Sequence, residues 1–406
     1  MYEGESLKQG DFKTGLKGSM KLRFYIVVSI MIALFGALNY FIGLRGWQFL
    51  GSKLSFLHIT VYGTVFAAVV ISSLVGMVAN NHLPHFLRSS LYTLGSYWFA
   101  ALTYFALIIV SIDIIRLLDR WIRFIPTVVG DKPNFALNMG ILACVFVVVL
   151  LVYGTFNARN IKVTPYHITI PKQAGSLEQL RIAMISDLHL NSIDDQRQKR
   201  IIDTVNQLNP DLVLIAGDII DDMTVFDKRE MKKDFQNIKS KYGVYASLGN
   251  HDYLTGDLTY LITDQLKEAG IDVLRDSSVK VGESFYIIGR EDKSYEMASG
   301  KKRMELSEIM NGIDRELPVI MLDHQPIDLE EAENAGVDLQ LSGHTHKGQF
   351  FPFNLVTSRV FKIDHGHLET GSFQIIVSSG VGAWGPPVRI GTTPEVVDIT
   401  VDFLEK

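Results

Sequence analysis

The sequence is poor in cysteine and in charged residues for its length. One cysteine, Cys144, occurs among 406 residues, which excludes a disulfide framework and a metal site built from several thiolates. Charged residues make up 20% and no long basic run is present, which argues against a nucleic-acid-binding tail but leaves a nucleotide substrate open. Hydrophobic residues make up 47%. Because a soluble enzyme usually carries more charge, part of the chain is predicted to face lipid.

The long hydrophobic runs lie within the first 160 residues. Four of them reach about 20 residues, which is enough to cross a bilayer as a helix. They are Arg23–Leu44, Leu57–Ala79, Leu91–Leu117 and Ala136–Phe156. The surrounding sequence has too few polar residues to cover four such helices in the core of a soluble protein. The first run is also too long for a signal peptide. We therefore predict an N-terminal tail over residues 1–20 and an all-α four-helix transmembrane domain over residues 21–157.

The distribution of basic residues bears on the orientation in the membrane. An even number of spans places the N-terminus and the C-terminal domain on the same side. That side carries nine basic residues near the spans, and the opposite side carries six. Because short cytoplasmic segments are richer in lysine and arginine, a cytoplasmic C-terminal domain in a multi-pass cell-membrane protein is favoured. The segment RLLDRWIRF (residues 116–124) either lies flat in the interface or extends the third span.

Residues 158–406 have the pattern of an α/β domain. Short β-branched runs alternate there with amphipathic helical patterns. The runs are RIAMIS, DLVLIAG, GVYASL, SFYIIG, LPVIML, VDLQLS and FQIIVSS. Several are apolar throughout, as is typical of strands that are covered on both faces.

Side chains that can bind a metal follow five of these runs. They are Asp187 and His189 in SDLH, Asp218, Asp221 and Asp222 in GDIIDD, Asn250, His251 and Asp252 in GNHD, His324 in DHQP, and His344 and His346 in GHTH. The carboxyl ends of strands in an open α/β sheet are where such folds build their sites. Each motif alone is weak, since GDxxD and GNHD are also common turns. Their order and placement together predict one composite site.

The types of donor indicate the kind of site. Carboxylates, imidazoles and one carboxamide, without sulfur, suit Mn²⁺, Fe, Zn²⁺ or Mg²⁺ in an open site rather than a closed structural zinc. There are too many donors for one ion. Seven candidates fit two divalent cations that share a carboxylate, which is the arrangement used for in-line displacement at phosphorus.

The pattern D-x-H, G-D-x-x-D, G-N-H-D, H, G-H-T-H resembles the calcineurin-like metallophosphoesterase family over roughly Leu180–Gln349. The resemblance implies a four-layer αββα sandwich for residues 158–406 and two divalent metal ions, with manganese favoured. It implies that Asp187, His189 and His346 hold one ion, that Asn250, His324 and His344 hold the other, and that Asp218 bridges them. It further implies that His251 meets the leaving-group oxygen, that Asp252 orients His251, and that Asp221 has a supporting role.

A finer resemblance concerns GHTHKGQFFP and the later SSGVGAWGPPVRIG. These segments resemble transmembrane proteins with a metallophosphoesterase domain and bacterial enzymes that cleave UDP-2,3-diacylglucosamine or related lipid phosphoesters. Lys347 stands where glycine is more usual and either contacts a substrate phosphate or, as we favour, is simply exposed. Trp384 and Arg389 are candidate substrate contacts or parts of an ordinary loop. His365 and His367 are predicted to be surface residues of a hairpin.

The predicted function is a membrane-anchored dinuclear metal-dependent phosphoesterase. It would cleave a phosphodiester or pyrophosphate bond by attack of a hydroxide that bridges the two ions. A lipid-linked substrate is favoured because a short linker ties the domain to the last span; nucleic acid is not an expected partner. One alternative is a soluble nucleotide or cyclic nucleotide as the substrate. Another is a membrane scaffold with a vestigial metal centre.

Overall fold

The computed structural model describes residues 18–49, 58–78, 85–124, 135–190, 193–221, 231–253 and 259–404. The chain divides into two compact units. One comprises Lys17–Phe156 with Gly385–Val388, and the other contains Asn157–Trp384 and Arg389–Lys406.

Four long helices make up the first unit. They are α1 (Gly18–Phe49), α2 (Ile59–Val78), α3 (His85–Ile122) and α4 (Phe135–Ala158). Within the described ranges, three segments are long and apolar enough to cross a membrane, namely Val28–Phe49, Ser90–Ile122 and Phe135–Ala158. The apolar part of α2, Ile59–Val75, is shorter, so its crossing of the membrane stays a prediction. Because α3 continues to Ile122, most of RLLDRWIRF extends the third helix rather than forming a separate one.

Polar contacts join these helices at a few positions. The guanidinium of Arg45 on α1 donates to the Asp113 carboxylate on α3 over 2.6 Å. The indole of Trp98 donates to the side-chain oxygen of Asn39 over 2.9 Å. Hydrogen bonds of this kind satisfy polar groups that lipid cannot solvate, so they favour specific pairing of helices within a bilayer.

The second unit contains two six-stranded sheets. Their strands are β1 (Lys162–Ile170), β2 (Gln179–Ile185), β3 (Leu212–Ala216), β4 (Val244–Ser247), β5 (Asp272–Val273), β6 (Ser277–Val281), β7 (Phe285–Gly289), β8 (Val319–Leu322), β9 (Leu339–Ser342), β10 (Gly366–Thr370), β11 (Phe373–Val377) and β12 (Glu395–Phe403). The orders are β1-β12-β2-β3-β4-β5 and β10-β11-β9-β8-β7-β6. The strands β2 to β5 run parallel, as do β7, β8, β9 and β11.

Seven shorter helices complete this unit. They are α5 (Asp195–Gln207), α6 (Met231–Phe235), α7 (Thr259–Glu268), α8 (Ser294–Ser299), α9 (Leu306–Ile309), α10 (Leu329–Ala335) and α11 (Asn354–Val360) among the described residues. Successive side chains along each central strand point to opposite faces of the sheet, and both faces are buried. On β2, Ile182 and Met184 face the second sheet, whereas Ala183 and Ile185 pack with the residues of α5 and α7. This two-sided burial explains the apolar runs in the sequence. The predicted αββα sandwich is confirmed.

The first residue of β12, Glu395, joins several elements of this unit. Its buried carboxylate accepts hydrogen bonds from Ser379 N over 2.7 Å and from Thr164 Oγ1 over 2.5 Å, and it lies 3.1 Å from His365 Nε2. Burial alone would raise the pKa of Glu395, but the bonds and charge of His365 and the hydroxyl of Thr164 outweigh it and lower the pKa to about 2. His367 lies on β10, with Nε2 3.0 Å from Gln374 Oε1.

We expect Glu395→Gln to lower the free energy of unfolding at pH 7 by about 1–3 kcal/mol. The folded-state pKa lies below the ordinary one, so the carboxylate stabilises the fold above about pH 4.5 and this contribution is lost as the pH falls toward 2. Denaturant unfolding between pH 3 and 7 should therefore show a flatter acid dependence for the variant. Glu369→Gln, exposed on β10, is the control; equal pH profiles for both variants would contradict the assignment.

Candidate metal centre

Five strands deliver the predicted donors to one place. Asp187 follows β2, Asp218 follows β3, Asn250 follows β4, His324 follows β8 and His344 follows β9. The parallel neighbours β2, β3 and β4 belong to one sheet, and β8 and β9 belong to the other. Their carboxyl ends lie at the same edge of the sandwich, so short loops bring the side chains together without a helix between them.

The backbone at these positions is left-handed. Asp187, His189, Asp218, His344 and His346 have φ between 44° and 69°. A positive φ is uncommon for residues other than glycine, and such residues cluster at functional sites where the surrounding fold holds them. Asp and His adopt this conformation more often than most other non-glycine residues, but the sequence does not show at which positions they do so.

One group of donors consists of Asp187, His189 and His346, all buried. The Nε2 atoms of the two histidines lie 3.2 Å apart, and His346 Nε2 lies 3.3 Å from Asp187 Oδ1. Burial, followed by the nearby Arg389 guanidinium, holds the pKa of His346 well below its usual value. A neutral imidazole at this position can offer a lone pair to a cation.

A second group consists of Asp187, Asp218 and His324. His324 Nδ1 donates to Ala216 O over 2.7 Å, which leaves Nε2 as the atom that can bind a metal. That Nε2 atom is buried 3.1 Å from Asp218 Oδ2, yet it makes no hydrogen bond of acceptable geometry within the part of the chain that the structure describes. A buried imidazole nitrogen without such a bond is costly, and a cation would satisfy it.

Asn250 and His344 extend the second group. Asn250 Oδ1 lies 2.8 Å from His344 Nδ1, and the rings of His344 and His324 have centroids 5.3 Å apart. Asp218 Oδ2 lies 3.1 Å from His324 Nε2 and 3.8 Å from His189 Nε2, so this carboxylate lies between the two groups. All seven predicted donors therefore belong to one cluster.

The charges of the cluster fit divalent cations. Burial would raise the pKa of Asp218, but His324 and His189 lower it well below its usual range. Burial would lower the pKa of His189, but Asp221 raises it to about 9, and Asp218 raises that of His324 well above its usual value. The buried carboxylates thus favour positive charge at this place, and two divalent cations would supply it without protonation of the donors.

The contacts of His251 correct the predicted role of Asp252. Nδ1 of His251 lies 2.8 Å from Asp221 Oδ1, and Nδ1 of His189 lies 2.8 Å from the same oxygen. The carboxylate of Asp252 instead accepts hydrogen bonds from backbone N–H groups of both metal-binding loops, those of Ile219, Ile220 and Gly249. Burial, and then the charge of Asp218, raise the pKa of Asp252 to about 7. Asp221, not Asp252, is positioned to orient His251; Asp222 lies outside the described residues.

The three candidate substrate contacts lie in different environments. Lys347 is half-buried with φ of 50°. Trp384 is 46% exposed, and its ring centroid lies 6.2 Å from that of His251. Arg389 is fully buried and donates to the carbonyl oxygens of His346, Ser379 and Gly382. The interpretation of Arg389 as a substrate contact is therefore wrong, because its side chain is fully buried and both Nη atoms donate to backbone carbonyl oxygens.

Arg389 supports the loop that carries His346. We expect Arg389→Lys to weaken metal retention about tenfold while the chain stays folded, because an ammonium group cannot reach the same set of carbonyl oxygens. Metal content after dialysis, with thermal unfolding as a second measurement, checks this. Arg181→Lys, whose side chain pairs with Asp398 in a partly exposed position, is the control and should keep its metal. Full retention by Arg389→Lys would contradict the supporting role.

Two glycines next to the donors have a role that the motif alone did not reveal. A Cβ atom at Gly249 would lie 2.2 Å from Asp218 Oδ1, and one at Gly343 would lie 2.3 Å from Asp187 Oδ2. These backbones approach the carboxylates too closely for any side chain. The recurring Gly before Asp, Asn and His in the motifs was the available signal.

Comparisons with known proteins agree with this geometry. Residues 180–348 match the family model for calcineurin-like phosphoesterases. An uncharacterised metallophosphoesterase of Aquifex aeolicus is 32% identical over 262 residues, which cover 63% of this chain and 98% of that protein. The chain belongs to the metallophosphoesterase family. The predicted family is thereby confirmed.

Two further relatives are similar to this chain over more than half of its length. A transmembrane protein with a metallophosphoesterase domain from Danio rerio is 32% identical over 273 residues, or 64% of this chain and 62% of that protein. The chain thus matches less than two thirds of that relative's length. The UDP-2,3-diacylglucosamine pyrophosphatase LpxG of Chlamydia muridarum is 25% identical over 293 residues, which cover 58% of this chain and 88% of that protein. The three apolar helices and the similarity to a transmembrane protein of Danio rerio together support a membrane protein.

Proposed function

We propose that this metallophosphoesterase holds two divalent cations and hydrolyses a phosphodiester or pyrophosphate bond in a lipid-linked substrate. The observation that carries the proposal is the buried Asp218 carboxylate, which lies between His189 and His324 while Nε2 of His324 lacks a hydrogen bond within the described chain. One cation would be held by Asp187, His189 and His346, the other by Asn250, His324 and His344, and both by Asp218. Manganese is the first choice, with Fe, Zn²⁺ and Mg²⁺ as alternatives.

The protein residues around the cations have distinct tasks. Two divalent cations supply charge neutralisation at phosphate oxygens and lower the pKa of water. Asp221 holds the imidazole of His251 through Nδ1 over 2.8 Å, which leaves Nε2 to donate a proton to the departing oxygen. Asp252 fixes the loops after β3 and β4 through three backbone N–H groups. It therefore positions Asp218 and Asn250 rather than taking part in proton transfer.

The preference for a lipid-linked substrate rests on the link to the membrane. Only Arg159 to Ile161 separate the end of α4 from the start of β1. This short linker keeps the phosphoesterase unit near the bilayer, where amphiphilic substrates are concentrated. The name of the Chlamydia relative, at 25% identity, also favours a lipid-bearing pyrophosphate or diester.

The proposal is tested with the purified full-length chain in mixed micelles. Metal analysis should find two equivalents of a transition metal, and bis(4-nitrophenyl) phosphate should be hydrolysed in the presence of Mn²⁺. Turnover of a diacylglycerol-bearing phosphodiester or pyrophosphate should exceed turnover of nucleotides and cyclic nucleotides. A metal-free, inactive protein would favour the scaffold alternative, and a preference for soluble nucleotides would contradict the lipid-linked substrate.

We further propose that the phosphoesterase unit lies on the cytoplasmic side. Basic residues near the spans favour this side by nine to six. A phosphatase or fluorescent reporter fused after Lys406 should report the cytoplasm. A reporter active only outside the cytoplasm would reverse the orientation.

A further inference from the structure

Five large apolar side chains directly after the GHTH motif are exposed on the phosphoesterase unit. They are Phe351 (44% exposed), Phe353 (37%), Leu355 (46%), Val356 (54%) and Val360 (68%). Single exposed apolar residues are ordinary, but five of them within the short segment 351–360 make a candidate surface for an apolar partner. We refer to these five residues as the apolar lip.

The apolar lip is held in a fixed shape. Val356 and Val360 are one turn apart on α11 and therefore lie on the same side of the helix. The ring of Phe353 packs edge-on against the buried Phe350, with centroids 5.1 Å apart. Thr357 Oγ1 donates to Asp364 Oδ2 over 2.7 Å. These contacts anchor the inner side of the segment, so its apolar side chains face outward from a packed structure.

The apolar lip adjoins the candidate metal centre. The ring of Phe361, directly after α11, lies 5.9 Å from the ring of His344. Gln349 exchanges two hydrogen bonds with the backbone of Trp384, over 2.7 and 2.8 Å, and the exposed Trp384 ring lies beside His251. Phe361, which directly follows Val360 of the lip, thus lies beside His344, and the exposed Trp384 lies beside His251.

We propose that the apolar lip inserts into the surface of the lipid bilayer and presents the metal centre to substrates at the membrane. Two exposed basic residues lie in or next to this segment: Arg359 precedes Val360, and Lys362 follows the segment and pairs with Glu330 over 3.2 Å. Apolar side chains bordered by cations are the composition of segments that bind anionic membrane surfaces. The three-residue linker after α4 keeps the unit within reach of the bilayer. The benefit to catalysis rests on the proposed lipid-linked substrate, but membrane insertion itself does not.

Lipid contact can be measured without any enzyme assay. In the full-length chain carrying Cys144→Ala, Val360→Cys is labelled with nitrobenzoxadiazole and reconstituted in vesicles of phosphatidylcholine and phosphatidylglycerol. Doxyl-labelled phosphatidylcholine should quench this label at least twofold. The same label at Met297→Cys, which is 52% exposed on α8, should be little quenched. Equal quenching at the two positions would overturn the proposal. So would a label at position 360 whose emission is blue-shifted but not quenched by doxyl lipid, because contact with a second protein would give that result.

An activity comparison separates this proposal from the proposed function. The double variant Val356→Ser and Val360→Ser is compared with Met297→Ser and Met304→Ser in the same vesicles. The probes are the 4-nitrophenyl phosphodiester of dioleoylglycerol and soluble bis(4-nitrophenyl) phosphate. The ratio of lipid to soluble turnover should fall at least fivefold for the lip variant only. An unchanged ratio overturns the role of the lip in presentation; a wild-type protein that cleaves neither probe refutes the proposed function, while the quenching result still decides membrane insertion.

Discussion

Asp218→Ala is expected to lose at least one metal equivalent and about 10³-fold or more in kcat/KM on bis(4-nitrophenyl) phosphate. Its carboxylate lies 3.1 Å from His324 Nε2 and 3.8 Å from His189 Nε2 and accepts a hydrogen bond from His251 N over 2.8 Å. Removing it takes a negative charge from between two buried imidazoles that would each hold a cation. The contribution of bound metal to such reactions is several kcal/mol, which corresponds to about this factor in rate.

The measurement for Asp218 combines elemental analysis with steady-state rates. Asp218→Asn preserves the shape of the side chain but removes its charge. It should also lose metal, which would show that the loss in Asp218→Ala does not come from misfolding. Asp211→Ala is a matched control, because Asp211 lies at the other end of β3 and accepts from Arg181 N over 3.0 Å. It should retain both metals. Two full metal equivalents in Asp218→Ala would show that this carboxylate does not bridge them.

His251→Gln is expected to lower kcat by about 10²- to 10⁴-fold while metal content stays near that of the wild type. His251 lies beside the donors but reaches Asp221 rather than Asp218 through its ring, at 2.8 Å. If it protonates the leaving oxygen, the loss should be larger for an alkyl leaving group than for 4-nitrophenolate, which departs without a proton. Asp221→Asn should produce a similar dependence on the leaving group, because it removes the charge that orients the imidazole.

The decisive comparison for His251 uses two leaving groups and one control. His367→Gln, exposed on β10, should leave both rates unchanged. An equal loss on both leaving groups, together with a loss of metal, would assign His251 a structural role. A wild-type rate for His251→Gln on the alkyl ester would refute the proton-donor role.

The position of the site followed from the local pattern of the sequence. Asp187, Asp218 and Asn250 each follow a short apolar run, and runs of that kind form neighbouring strands in a sandwich with buried faces. The carboxyl ends of parallel strands lie at one edge of the sheet, regardless of the conformation of the loops. Hydrophobic runs predicted the long helices for a similarly local reason, since span length depends only on consecutive residues.

Pairing within the site could not be predicted in this way. Asp252 is adjacent to His251 in sequence, yet its carboxylate turns to backbone N–H groups while Asp221, thirty residues earlier, contacts the imidazole. The direction of a side chain on a tight loop depends on backbone angles, and five of the donors have left-handed φ values that the sequence pattern does not specify. Arg389 is a similar case. A charged residue in a Gly/Pro loop is predicted to be exposed, and only the structure shows the carbonyl groups that surround it.

Local composition and period in the sequence predicted the long apolar helices, the α/β domain and the metal-capable side chains after five of its strands, because these features depend on neighbouring residues. The sandwich and the roles of the seven donors were predicted from the resemblance to a family. Only the tertiary structure decided which carboxylate orients His251, that Arg389 is enclosed by backbone carbonyls, and that the residues after His346 form an exposed apolar lip. Those features depend on loops from separate strands approaching within hydrogen-bonding distance, and no local pattern encodes that approach.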